Sequence, residues 1–302
     1  MTGVTLAPGS SRGAALMETA VKGRGLWDDA RRRLVRNRAA VTGAAVLAVL
    51  VVLAIVGPWL VPYRYDEINK DDVWLAPLVH GHLLGSDALG RDLLARLFMG
   101  LRVSLAIGAT ATSVSLVVGV IWGATAGYVG GAVDEVMMRI VDVLYSLPFI
   151  FFVILLMVTF GSNIILIFVA IGAVEWLTMA RIVRGQTLSL KNKEFIEAAR
   201  AAGLDGAAII ARHIIPNLLG PVAVYVTLTI PGVILAESFL SFLGLGVQPP
   251  MASLGSLIAS GAQDMELAPW LLIFPSLAMI ASLVSFNFIG DGLRDAIDPK
   301  DR

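Results

Sequence analysis

Long apolar stretches alternate with short polar ones along this chain, and their lengths set the first expectation. Residues 39–63 carry no charge, apolar runs of comparable length cover 103–128, 214–243 and 267–290, and a longer block covers 134–181. A helix rises about 1.5 Å per residue, so roughly 20 residues cross about 30 Å of hydrocarbon. Each of the four runs predicts one membrane-spanning helix. The block is ambiguous, because its uncharged centre, 143–174, is too long for one span and short for two.

Charge placement decides it. A tight turn at Gly161, Ser162 and Asn163 divides the block into two helices, giving six spans with both termini on one side. That puts 18 of the 23 lysines and arginines with the termini and 5 opposite; five spans would put 9 with the N-terminus and 14 opposite. Lys and Arg concentrate in cytoplasmic segments, so six spans and cytoplasmic ends are selected. Asp134, Glu135, Arg139, Asp142 and Glu175 must then lie near helix ends or against other helices. The expected divisions are a mobile cytoplasmic tail over 1–38, a first span and external loop over 39–102, and a five-span core over 103–302 with a cytoplasmic loop at 185–215. Residues 62–102 read as an external loop ending in an amphipathic 91–102 stretch, and 244–269 as a second one without Lys or Arg.

Composition agrees with a bilayer environment. Of 302 residues, 57% are hydrophobic and 15% charged, far more apolar material than a soluble core of that length needs. The formal net charge is zero, so no global field draws nucleic acid to the chain. Cysteine is absent, which excludes disulfides, thiolate metal sites and a cysteine nucleophile. The arginines at 31–38 imitate the charged start of a signal peptide, but the uncharged run behind them exceeds a secretory apolar segment.

Within the second run, Gly119, Gly123, Gly127 and Gly131 fall four apart, and Ser104, Gly108 and Thr112 extend the row. Small residues at that spacing let a second helix approach closely. The plainer alternative is the ordinary frequency of glycine in membrane helices.

The polar stretch 193–217, between two spans, is the segment where chemistry concentrates. Ala198, Ala199, Ala201 and Ala202 favour helix and leave a smooth surface, Gly203 permits a backbone conformation other residues resist, and Pro216 suits a first helical turn. Two short helices broken at Gly203 are predicted. An amphipathic helix lying on lipid through Phe195, Ile196, Ile209 and Ile210 is the competing reading.

The triplet Glu197, Ala198, Ala199, followed by Gly203 and then by Ile215 and Pro216, resembles the signature of permease subunits of ABC importers. His213 and Ile215 stand where that signature has isoleucine and leucine. Four further segments, RNRAAV at 36–41, LGSDALGRDLLARLFMGLRVSL at 84–105, ESFLSFLGLGVQPP at 237–250 and FNFIGDGLRDAIDPK at 286–300, resemble the C-type inner-membrane subunit of oligopeptide and dipeptide importers, in the peptide and nickel branch. The chain reads Ser253, Leu254, Gly255 where that family has Ser-Trp-Gly. The resemblance covers nearly the whole chain. It implies an all-α, six-span, type I importer permease in a bacterial inner membrane, paired with a homologous B-type permease, two ABC ATPases and an extracytoplasmic peptide-binding protein. It also implies that Glu197, Ala198, Ala199, Gly203, Asp205, Ile215 and Pro216 form the ATPase-coupling segment, and that ATP and magnesium belong to the partner subunits. Gly119, Gly123 and Gly127 are expected to serve helix packing.

Other candidates carry less. No G-x-x-x-x-G-K-[ST] sequence occurs, so nucleotide hydrolysis is expected elsewhere. A G-x-S-x-G pattern at Gly9 to Gly13 lacks the preceding strand of a hydrolase elbow. His80 and His82 suggest a metal site only weakly, and a solvated loop is expected there. His213 is expected to make a structural hydrogen bond. Glu175 and Glu237 are embedded in apolar sequence, where anchoring at helix ends or pairing between helices competes with a transport role. No catalytic, cofactor or metal residue is expected. Nickel or another small solute remains an alternative cargo, and an ion-coupled carrier a more distant one, disfavoured by the lack of an inverted repeat.

Overall fold

A computed structural model describes residues 26–161 and 163–297. The G-x-S-x-G pattern at Gly9 to Gly13, Ser162 of the expected turn and the final Lys300 lie outside those residues. Among the described residues every regular element is helical, with two isolated β-bridges in the loop after the first span. In chain order they are α1 (Leu26–Arg36), α2 (Arg38–Leu60), a short 3-10 turn (Lys70–Asp72), α3 (Leu93–Val129), α4 (Gly131–Ser146) and α5 (Phe149–Phe160). There follow α6 (Ile164–Leu190), α7 (Glu194–Ala201), α8 (Gly206–Ile209), a π turn (Ile210–Ile214), α9 (Ile215–Phe242), α10 (Leu254–Gln263) and α11 (Trp270–Ile297).

Five helical stretches are long and apolar enough to cross a membrane, and α4 with α5 makes a sixth when the bent pair is taken as one span. The division of the 134–181 block falls at the expected place. Gly161 ends α5 with φ of 84°, and the side chain of Asn163 caps α6 by accepting from the Ile165 amide at 2.9 Å. The first half is not straight, however. An 80° bend separates Gly131–Ser146 from Ile150–Phe160. Its cause is Pro148, which pushes the preceding Leu147 out of helical geometry to φ −75° and ψ 128°.

Two other boundaries differ from expectation. Residues 26–36 of the supposed mobile tail form α1, and a Cβ on Gly292 of α11 would lie 3.3 Å from Leu34 Cδ1. The stretch 91–102 is no separate amphipathic element, so the division drawn at 102 falls inside one helix. Asp92 starts α3 ten residues earlier by accepting the Ala95 amide at 2.8 Å, and the helix runs unbroken to Val129.

The core is built on α3 against α6. A Cβ on Gly119 would stand 2.6 Å from Met179 Cβ, on Gly123 2.3 Å from the Ala180 carbonyl oxygen, and on Gly127 2.8 Å from Thr187 Cβ. Side chains at these positions would separate the two backbones. The row ends there, since Gly131 belongs to α4 and has nothing within 4 Å, while Gly108 faces Ile230 of α9. Ion pairs hold α4 to α6: Arg184 grips Asp134 with bonds of 2.5 and 2.6 Å, and Arg181 reaches Asp142 at 2.8 Å.

On the other flank α2 packs against α3 and α11. Pro58 lies inside α2 and cannot supply the amide that would bond the Ala54 carbonyl. Arg102 of α3 supplies the missing donor, with Nε 3.0 Å from Ala54 O and Nη2 3.0 Å from Ile55 O.

Candidate functional site

After α6 ends at Leu190, the chain reverses through Lys191, whose Nζ donates to the Gly127 carbonyl at 3.0 Å and so fastens the turn to the end of α3. α7 then presents two faces. Glu194, Glu197, Ala198, Arg200 and Ala201 are exposed, whereas Ile196 and Ala199 are buried in one cluster with Val120 of α3, Met179 and Val183 of α6, and Ile209 and Ile214. Ala199 is 7% exposed, which corrects the expectation that it forms part of an open surface. The reason is helical phase: Ala199 lies three residues after Ile196 and shares its inward face. The competing placement of Ile196 and Ile209 on lipid fails for the same reason, since both are fully buried within the protein.

Gly203 ends α7 at φ 81°, a left-handed conformation that side chains resist. Its amide bonds Arg200 O at 2.9 Å and the next amide, of Leu204, bonds Ala199 O at 3.2 Å, answering carbonyls that the helix end leaves open. Asp205 starts α8 by accepting the Ala208 amide at 3.0 Å. The second predicted short helix is not free-standing. From Gly206 the helix runs through the π turn into α9 as one stretch to Phe242. The wide turn precedes Pro216, which has no N–H to give, and the Ile215 amide reaches back to Ile210 O. Ile215 packs partly buried against the same cluster, and Pro216 is exposed.

Arg200 completes the elbow. Its guanidinium lies 5.2 Å from the ring centroid of Tyr128 near the end of α3, with Nε 3.4 Å from the hydroxyl. Glu197, Ala198, Gly203 and Asp205 thus form an exposed ridge, over a buried side continuous with the spans.

The remaining candidates divide between those that meet expectation and those that depart from it. His80 is exposed, but His82 is 1% exposed, so its place in a solvated loop is corrected. His82 stacks on Tyr63 with centroids 4.3 Å apart, pairs through Nδ1 with Asp92 at 2.8 Å and faces Asp72 through Nε2 at 3.5 Å. Asp72 also pairs with His80 at 2.9 Å, and hydrogen bonding to His80 holds its carboxyl below the usual range against the opposing effect of desolvation. Sequence spacing hid these partners, which stand eight and ten residues from their histidines. Among the described residues no group of three or more His, Asp or Glu is arranged to hold a metal.

Glu237 pairs between elements, as one of its two readings held. It is fully buried near the end of α9, and Oε1 accepts from Ser241 and from Ser253, each at 2.6 Å. Ser253 caps α10 in a reciprocal box with Ser256, so the carboxylate anchors the start of that helix. Leu254 is buried, and its amide donates to Ser104 Oγ at 2.9 Å. Glu175 lies in mid-helix rather than at an end, and Arg181 is committed to Asp142. His213 offers its carbonyl to Asn217 Nδ2 at 2.6 Å, while its ring makes no hydrogen bond among the described residues.

Comparison with known proteins adds the following. Residues 115–302 match the family described as binding-protein-dependent transport system inner membrane component, and residues 25–77 match the N-terminal transmembrane domain of oligopeptide transport permease C. The chain is 55% identical to the oligopeptide transport system permease protein OppC of Haemophilus influenzae, over 94% of this chain and 92% of that protein. It is 56% identical to OppC of Escherichia coli K12, covering 93% and 94%. It is 44% identical to the dipeptide transport system permease protein DppC of Bacillus subtilis, covering 90% and 85%. A chain from the inward-facing MetNI methionine ABC transporter aligns with a TM-score of 0.53 at 20% identity, over 67% of this chain and 96% of that one, which speaks for the fold.

Proposed function

We infer the working of this chain from its membership: it belongs to the family of inner-membrane components of binding-protein-dependent transport systems. It is a permease subunit of a peptide ABC importer, a multi-pass inner-membrane protein that acts with ATPase and other subunits. The finer reading assigns it the C-type position beside a homologous B-type permease, above two ABC ATPases and below an extracytoplasmic peptide-binding protein. Both termini and the 185–215 segment face the cytoplasm. Hydrolysis, with ATP and magnesium, belongs to the ATPases, in keeping with a sequence that contains no Walker A motif.

The observation that carries the coupling role is the two-faced α7. Glu197 and Ala198 stand exposed on one side, while Ile196 and Ala199 on the other are packed with residues of α3 and α6 and with Ile209 and Ile214. A motor that holds the exposed face and closes on ATP moves the buried face with it, because a close-packed core transmits displacement rather than absorbing it. The motor must contact α7 differently in its open and closed states, or no equilibrium shifts. Glu197 supplies a charge-assisted contact, Ala198 permits close approach, and Gly203 with Asp205 fixes the angle between α7 and the rod beginning at Gly206. Ile215 and Pro216 seat that rod.

Gly203→Val tests the elbow. A β-branched residue at φ 81° costs roughly 1–2 kcal/mol locally, yet nothing lies within 4 Å of the added Cβ. The protein is expected to reach the membrane at normal abundance while peptide uptake falls at least about tenfold. Uptake at the wild-type rate would remove the elbow from the coupling path.

A further inference from the structure

We propose that a cleft between the start of α3 and α10 is a carboxylate socket that receives an acidic side chain of the extracytoplasmic peptide-binding protein; this rests on the reading that 244–269 faces outward. The cleft has a volume of about 210 Å³ and is lined by Arg91, Arg96, Gln248, Ser256, Ser260 and Gln263 among its polar residues, with no carboxylate in its walls. That volume readily admits a carboxylate side chain.

The charge here is incompletely answered. Asp87 takes the Arg91 Nε bond at 2.8 Å and lies 3.4 Å from Arg96 Nε, so one carboxylate serves two guanidiniums. Its Oδ1 is already occupied by the amides of Leu89 and Arg91. Arg96 is 5% exposed, and its Nη1 is buried without a hydrogen-bond partner among the described residues. A buried guanidinium with unanswered donors is costly, and its planar fork matches a carboxylate. Asp87 and Asp264 line a second cleft, of about 280 Å³, that adjoins the same two arginines. The acid-free cleft is therefore the side on which an incoming anion meets net positive charge.

The walls favour a docked protein over passing cargo. Asp92 caps the helix that carries Arg96, and the Ser253–Ser256 box holds α10, so the socket is set in fixed elements. A terminal carboxylate on every peptide, gripped by two arginines, would leave more slowly by on the order of tenfold or more per bond. A binding protein gains register and speed of encounter from the same contact.

The test uses the assembled transporter in nanodiscs, titrated with its cognate peptide-loaded binding protein. Arg91→Gln is expected to raise Kd at least about tenfold and to flatten its dependence on salt, whereas Arg91→Lys stays within about threefold. Ala259→Trp plugs the cleft with both arginines retained and is expected to weaken docking similarly. Copurification of the ATPases checks assembly. Kd within about twofold of wild type for both Arg91→Gln and Ala259→Trp overturns the socket, as does unchanged docking with a new discrimination between free-acid and C-terminally amidated peptides in uptake. Gln248→Cys, in this cysteine-free chain, separates the two readings. Labelling by a membrane-impermeant maleimide from outside, with docking unchanged, removes the socket alone; labelling only from the cytoplasmic side removes the orientation beneath it.

Discussion

At the scale of single residues, most of the unexpected structure is one polar group answering another that its own helix leaves unserved. Pro58 withholds an amide from Ala54 O, and Arg102, from a different helix, donates to that oxygen at 3.0 Å. A double-mutant cycle makes this quantitative. Arg102→Ala in the wild-type background is expected to destabilise the purified complex by about 1–3 kcal/mol, the usual cost of an unsatisfied buried group. In a Pro58→Ala background the restored amide serves Ala54 O, so the same change should cost less than half as much in thermal unfolding. Equal costs in both backgrounds would mean that Arg102 acts elsewhere. Arg102 was legible only as a member of a family-like segment, because a carbonyl orphaned 48 residues away leaves no trace in local pattern. The same holds for His82, whose burial depends on Tyr63, Asp72 and Asp92. Ala199 differs. Its inward position follows from its spacing to Ile196 and could have been read from the helical period.

At the scale of elements, apolar run length located the spans well, and the Gly161 and Asn163 turn fell where charge asymmetry required it. Run length could not show the 80° break between α4 and α5, although Pro148 marked it. It also could not show that α3 begins at Leu93, since Arg96 and Arg102 read as loop charges until Asp92 is seen as a cap. The glycine row was visible as spacing, but its extent depends on which neighbour each position meets. Gly123→Ala would place Cβ 2.3 Å from the Ala180 carbonyl oxygen, a contact that only backbone separation can relieve. Gly185, on the same α6, has nothing within 4 Å. Gly123→Ala is therefore expected to cut the yield of folded protein severalfold, while Gly185→Ala leaves it equal or raises the melting temperature slightly, alanine being the better helix former. Equal behaviour of the two in size-exclusion yield and thermal unfolding would contradict the tight α3 and α6 contact.

At the scale of the whole molecule, a bundle of apolar spans is joined to one polar elbow whose buried side is part of the bundle's own core. Sequence similarity establishes the transport role, and the elbow is the segment through which a separate motor is proposed to drive it. Orientation and motor contact are both tested by one substitution. Ala198 is exposed beside Glu197, and the chain has no native cysteine, so Ala198→Cys gives a unique thiol on the proposed contact face. The measurement is crosslinking of this thiol to single-cysteine ATPases in the intact importer, with and without ATP, alongside labelling by impermeant maleimide from each side of the membrane. A coupling role for α7 requires labelling from the cytoplasmic side and a crosslink whose yield changes severalfold with nucleotide. Labelling from outside intact cells, or a crosslink indifferent to ATP, would contradict it.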